Sequence, residues 1–361
     1  MSEYDYGNAR VRAMKSRLLS RSSLELMAEA GSVDGLIAAL TDTPYRQAVE
    51  AALLRWSGLE CLAEALRANL VATVGKARTF YQGAAGALAA LALRRYDLHN
   101  LIAVLRGLAR HVPPDEILAS TLPVGELRPA DLAELAGAAD FRAALDLLAT
   151  WRLPLAQPVL KQRAVGHAGE DNLFFIELAL QSWHMQSALQ AARAGGAKAA
   201  PLHETLMLEA DATNILTVLR LAGVMDPASA VGDLLGAEGV VGLFVGPGRV
   251  RVSRLAEAAN RRSAAGAAEV LAPTPYGADL AEALVTDGGP PVLSAVERAL
   301  RLRQIRHAAG LFARDPLGIG VLLGYVALKM AEISNLRAIA QGLVLKEKPD
   351  RIRAELLATG A

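Results

Sequence analysis

Three stretches combine an acid, a carboxamide and, in two of them, a guanidinium at helical spacing. They read Asp97-x-x-Asn100-Leu101-x-x-Val104-Leu105-Arg106, Asp211-x-x-Asn214-Ile215-x-x-Val218-Leu219-Arg220 and Glu332-x-x-Asn335-Leu336-x-x-Ile339-Ala340-Gln341. An acid and an asparagine three residues apart share one helix face. There they could act as paired polar ligands, with the arginine holding a substrate. A structural use is also open to them, because an asparagine at the border of a buried helix face can satisfy a backbone group on a neighbouring helix. A catalytic centre is needed once, whereas a packing device is needed in every unit. Threefold recurrence therefore favours Asn100, Asn214 and Asn335 as structural markers of a repeat. Arg106 and Arg220 read the same way, as helix-end charges or contacts between units.

Other candidates for chemistry are weaker. No Gly-x-x-x-x-Gly-Lys-Ser/Thr loop is present, and Gly75-Lys76-Ala77 lacks both the preceding glycine and the hydroxyl that would hold Mg²⁺. Gly318-x-Gly320-x-x-x-Gly324 imitates a dinucleotide fingerprint, but it has one residue too many and no strand before it. Small residues allowing close helix packing explain it better. The histidines at 99, 111, 167, 184, 203 and 307 form no His-x-x-x-His or Glu-x-x-His set. Cys61 is the only cysteine, so no intrachain disulfide can form, and its apolar neighbours suit a packed thiol better than a nucleophile. The sequence thus points to no catalytic residue, metal or cofactor.

The elements that carry the three phrases are helical. Apolar residues fall at i, i+3, i+4 and i+7 (Leu101, Val104, Leu105, Leu108 in the first), which is one stripe of an α-helix. Composition agrees. Hydrophobic residues make up 53% of the 361, but aromatics only 4%, so Ala, Leu and Val dominate and strand formers are thin. Lys and Arg number 38 against 37 Asp and Glu, a balance that argues against a nucleic-acid binder held by phosphate contacts. A mean hydropathy of +0.27 is high. The longest uncharged apolar runs, Ala84–Leu93 and Leu317–Leu328, are nevertheless far shorter than the roughly 20 residues a bilayer crossing needs. The charged start has no apolar signal core, so the expectation is a non-secreted chain.

Successive phrases lie 114 and 121 residues apart (211 − 97 and 332 − 211), the period of a domain and not of a solenoid repeat. Other markers recur in the same order. Leu132-x-x-Leu135-Ala136 matches Leu24-x-x-Met27-Ala28, and Ile176–Leu180 and Val296–Leu300 match Val49–Leu53. Thr43-Pro44-Tyr45 returns as Thr274-Pro275-Tyr276, with Thr150-Trp151 in the middle, and Gly246-Pro247-Gly248 stands where Pro123-Val124-Gly125 did. Three homologous helical units are expected, 1–126, 127–248 and 249–361. Asn8 is a plausible first N-cap, Ser22 or Ser23 opens the next helix, and Tyr45–Arg67 and Leu70–Gly107 read as long helical stretches. Val240–Val245 and Arg249–Val252 have a hairpin alternative around the Gly-Pro-Gly turn, though loop plus helix start fits a helical repeat better.

Taken together, Tyr4-x-Tyr6-x-Asn8-Ala9-Arg10-Val11-x-Ala13-Met14, the two Thr-Pro-Tyr turns, the Asn-Leu-x-x-Val-Leu-Arg phrase and the closing Glu332-x-x-Asn335-Leu336-Arg337-x-Ile339-x-x-Gly342 resemble the C subunits of the V/A-type ATP synthases. That family is the prokaryotic relative of the d subunit of the vacuolar ATPase, and the likeness covers essentially the whole chain. The resemblance implies an all-α funnel of three similar subdomains about a pseudo-threefold axis. It implies a non-catalytic rotor component on the cytoplasmic face of the membrane, peripheral to it. Such a socket joins central-shaft subunits of the D and F type to the proteolipid c or K/L ring and passes torque between them. Within that frame the marked loops, Thr43, Pro44 and Tyr45, Pro123 and Gly125, Pro247 and Gly248, and Thr274, Pro275 and Tyr276, are expected to line one rim and meet other subunits. The competing expectation is a general helical adaptor unrelated to rotary machines.

Overall fold

A computed structural model of the chain describes residues 3–151, 153–164, 166, 169, 172–222, 236–284 and 293–357. Among these residues the fold is all-helical and contains no β-strand. The hairpin alternative therefore falls away: Gly236–Leu243 forms short 3-10 turns and Val252 opens a helix.

After α1 (Asp5–Lys15), one element order occurs three times: three short helices, then two long ones. The first pass is α2 (Arg21–Met27), α3 (Val33–Leu40) and α4 (Arg46–Leu53), then α5 (Gly58–Arg78) and α6 (Gly83–Ala109). After the small α7 (Pro114–Ala119) come α8 (Pro129–Ala136), α9 (Phe141–Thr150) and α10 (Ala156–Ala164), then α11 (Leu173–Ala194) and α12 (Ala200–Leu221). The last pass is α13 (Val252–Ala259), α14 (Ala264–Leu271) and α15 (Gly277–Leu284), then α16 (Leu293–Arg314) and α17 (Gly320–Val344), with α18 (Pro349–Glu355) at the end. The phrases sit on α6, α12 and α17.

Helix starts follow local chemistry. Ser32 Oγ accepts the Gly35 N–H at 3.0 Å, Asp140 Oδ1 the Ala143 N–H at 2.7 Å and Ser263 Oγ the Gly266 N–H at 3.1 Å. These three N-caps open α3, α9 and α14, and each stabilises its helix by about 1 kcal/mol. Two expected starts lie elsewhere. Ser20, not Ser22 or Ser23, caps α2, and α1 begins at Asp5 with Asn8 buried inside it. The long stretches are also cut. Gly58 and Gly83 take φ of 54° and 56°, a left-handed conformation glycine adopts without steric cost, and it stops one helix and starts the next.

Two compact units result, one of Met1–Leu153 with Ile305–Ala361, the other of Pro154–Gln304. In the first, Leu24, Leu36, Leu40 and Val49 of α2–α4 pack with Leu66, Leu70 and Val74 of α5 and with Leu336, Ile339 and Ala340 of α17. In the second, Ile215, Val218 and Leu219 of α12 pack with Leu255, Ala258, Leu271 and Leu280 of α13–α15 and with Tyr276 of the turn before α15. In each case the apolar stripe of a phrase buries against the three short helices that come next in cyclic order. Each fully buried leucine favours this packing by roughly 2 kcal/mol. One proposed correspondence is off: Val49–Leu53 lies on short α4, whereas Ile176–Leu180 and Val296–Leu300 lie on long α11 and α16. The apolar spacing of a buried helix face is the same on either kind, so the pattern alone could not separate them.

Candidate functional site

The three asparagines do one job. Asn100 Nδ2 donates to the Leu122 carbonyl at 2.9 Å while its Oδ1 accepts the Leu122 N–H at 2.6 Å. Asn214 makes the same pair with Val245 at 3.1 and 2.9 Å, and Asn335 with Leu357 at 3.1 and 2.7 Å. A carboxamide carries one donor side and one acceptor, so it closes both backbone groups of a single residue. The partner is the segment that follows the helix, not a neighbouring helix. All three asparagines are buried, where an unclosed backbone group is costly.

The acids one turn earlier hold the next stretch of backbone. Asp97 accepts the N–H groups of Glu126 and Leu127, both at 2.9 Å. Asp211 accepts those of Arg249 and Val250 at 2.9 and 3.1 Å. Glu332 accepts the Leu19 N–H at 2.5 Å. Leu19, Leu127 and Val250 each lie just ahead of the first short helix of a pass, so each acid fixes the entry to the bundle its helix packs against. Gly125 and Gly248 belong to this device: a Cβ at either would run into the Asp97 or Asp211 carboxylate.

The Thr-Pro-Tyr turns meet the same acids. Thr43 Oγ1 donates to the Leu40 carbonyl and accepts the Tyr45 N–H, and Thr274 does the same with Leu271 and Tyr276. This geometry turns each tyrosine inward. Tyr45 Oη donates to Glu332 Oε1 at 2.6 Å, and Tyr276 Oη to Asp211 Oδ2 at 2.8 Å. Glu332 also receives Lys329 Nζ at 2.6 Å, and that ammonium stands 4.2 Å from the centre of the Tyr45 ring. Lys329 is buried and escaped the sequence reading, although a lone cation one turn before an acid in an apolar run signals a buried pair. The expected rim residues therefore divide: Tyr45, Tyr276 and Gly125 are buried, Thr43, Pro123, Gly248 and Thr274 are partly buried, and Pro44, Pro247 and Pro275 are exposed.

The N-terminal motif has its own geometry. Asn8 Nδ2 donates to the Gly318 carbonyl at 3.1 Å and its Oδ1 accepts from Tyr81 Oη at 2.9 Å. Arg12 donates to the carbonyls of Phe312 and Pro316, both at 3.2 Å. Together they seat α1 on the turn between α16 and α17. In the same turn Asp315 accepts the Gly320 N–H at 2.7 Å, and Gly324 lets α17 approach Phe312. The glycine series at 318–324 thus serves close packing after a helix. Cys61 is buried in α5, and burial pushes its thiol above the ordinary range. Arg106 and Arg220 lie exposed in the last turns of α6 and α12. His167 lies outside the described residues. Among those described, no group of His, Cys, Asp and Glu could hold a metal ion, and no helix is long and apolar enough to cross a membrane.

Burial sets the titration of this network. Burial first, then the nearby Glu332 or Asp211, holds the Tyr45 and Tyr276 phenols above their usual range. Burial also raises Tyr81, and it raises Tyr325 to about 12. Unfolded, all four ionise near pH 10. Folded, they keep their protons longer, so their contribution is complete below about pH 10 and lost as pH rises through the folded values. Lys329, pushed down by burial, acts in the opposite sense but is one group against four. Stability is expected to fall above about pH 10, each phenol adding up to about 1.4 kcal/mol per pH unit. Thermal melts at stepped pH, followed by tyrosinate absorbance, check this. Y276F should flatten the slope, and an unchanged slope would count against the assignment.

The chain is similar to known proteins over most of its length. A family model described as ATP synthase (C/AC39) subunit matches residues 7–355. The A-type ATP synthase C subunit of Methanosarcina barkeri is 27% identical over 344 residues, covering 94% of this chain and 89% of that one. The A-type C subunit of Halobacterium salinarum is 27% identical over 366 residues, covering 99% and 98%. The V-type ATP synthase C subunit of Deinococcus radiodurans is 26% identical over 358 residues, covering 99% and 92%.

Proposed function

We propose the following role for this chain, which belongs to the ATP synthase (C/AC39) subunit family. Within a rotary ATP synthase it acts as a non-catalytic socket, taking the tip of a central shaft of D and F type subunits and seating it on the c or K/L proteolipid ring. It lies peripherally on the cytoplasmic side of the membrane and passes torque between the two. Three subdomains, 1–126, 127–248 and 249–361, surround the shaft about a pseudo-threefold axis.

The observation that supports this most is the cyclic order of the acids. Asp97 holds the entry to the second bundle, Asp211 the entry to the third, and Glu332, 313 residues away in sequence, the entry to the first. A linear adaptor would leave its last phrase unmatched. The engagement of these acids supports a non-catalytic role, since buried carboxylates occupied by backbone N–H groups are not available to a substrate. Contact with shaft or ring falls to the exposed prolines of the marked turns, Pro44, Pro247 and Pro275.

Co-expression with shaft and ring proteins, followed by purification in mild detergent, tests the reading. The chain should co-purify with the ring, and photo-crosslinkers at positions 44, 247 and 275 should each capture a protein of the shaft or ring. Capture confined to one of the three positions, or loss of the ring in mild detergent, would overturn it.

A further inference from the structure

The three acid joints share one register but not one set of donors. The caps Ser32, Asp140 and Ser263 fix that register, because each closes the first turn of the second short helix. Thirteen residues beyond Ser32 and Ser263 stand Tyr45 and Tyr276, the phenols that donate to Glu332 and Asp211. Thirteen residues beyond Asp140 stands Leu153. Counted this way Trp151 matches Thr43, and no hydroxyl occupies the tyrosine position.

Asp97 accordingly accepts two backbone N–H groups and nothing from a tyrosine. The charged groups facing it are Arg78, which lowers its proton affinity and also donates to the Gly125 carbonyl, and Glu126, which raises it. Burial outweighs the N–H donors and leaves the carboxyl above its ordinary range. Asp211 takes the same two backbone bonds plus the phenol, and Glu332 takes one backbone bond, the phenol and an ammonium.

We propose that the joint at Asp97 is the compliant one of the three, so that the Glu126 and Leu127 amides, beyond the Gly125 carbonyl that Arg78 holds, leave Asp97 more readily than the Arg249 and Val250 amides leave Asp211. In a socket that receives a turning shaft, the wall would then yield first at the entry to the second bundle. That use rests on the proposed function, but the difference between the joints does not.

Native-state hydrogen exchange on the full chain tests it, with each joint referred to the amide of its own phrase helix, Leu101 or Ile215. The bond that differs, from the Tyr276 hydroxyl to the Asp211 carboxylate, is charge-assisted and among the stronger kinds. The Leu127 amide should therefore be less protected, relative to its reference, than the Val250 amide by about tenfold or more. Y276F, which deletes only an oxygen, should bring Val250 to the level of Leu127, and L153Y should raise the protection of Leu127. Equal protection in the unaltered chain, or no change at Val250 in Y276F, overturns the proposal whether or not L153Y folds. Because the readout needs no partner protein, failure to co-purify with a ring would sink the rotary role and leave this contrast standing.

Discussion

Glu332→Ala is expected to destabilise the first unit by about 4 kcal/mol, because it strands three donors at once. The Leu19 N–H, the Tyr45 hydroxyl and the Lys329 ammonium all point at this carboxylate. The side chains of Lys329 and Glu332 are only 4% and 2% exposed, so water cannot replace what is removed. Lys329→Met is expected to cost less, about 2 kcal/mol, since Glu332 keeps its phenol and amide donors and loses one charged bond. Denaturant unfolding of the full chain gives both values. A cost for Glu332→Ala below about 1 kcal/mol, or a larger cost for Lys329→Met, would refute the assignment of the carboxylate as the hub.

Asn214→Ala should cost about 3 kcal/mol. It uncovers the buried N–H and C=O of Val245 together, and each unclosed group carries a penalty of about 1–3 kcal/mol. Asn214→Asp retains an acceptor for the N–H but sets a negative charge against the Val245 carbonyl, so it should be no better tolerated than alanine. Thermal melts, with hydrogen exchange at Val245, separate the two. An aspartate variant as stable as the parent would show that the donor half of the clamp contributes nothing.

What the sequence displayed of this arrangement was its local part. Helical stripes on α6, α12 and α17 follow from spacing alone, and the recurrence of acid and asparagine identified a structural device before any partner was known. The partners themselves lay beyond reach. Nothing in the spacing of Glu332 singles out residues 19 and 45, because that pairing is made by packing across some 300 positions of chain. The breaks at Gly58 and Gly83 had local signals, Ser57-Gly58 as a turn dipeptide and the weak helix formers Thr79-Phe80-Tyr81 ahead of Gly83. An apolar helical pattern running through both overrode them, and a glycine alone tells nothing of the sign of its φ. The middle unit misled through its threonine: Thr150 imitates Thr43, but only the cap at Asp140 counts the register correctly and places Leu153 where a tyrosine stands elsewhere. Asn8 has the composition of a cap and serves as a tertiary clamp, because Tyr81 and Gly318 claim both ends of its amide.

The bond between Glu332 and Leu19 also orders events at the ribosome. Asp97 and Asp211 find their backbone partners within 30 and 39 residues, so those joints can form as soon as the chain emerges. The first bundle must wait for Leu336, Ile339 and Ala340, which complete its core. At translation speeds of about 5–20 residues per second, that wait is roughly 15–60 s. For that interval α2–α4 present an unfinished apolar face, and α17, made far later, finishes the first bundle.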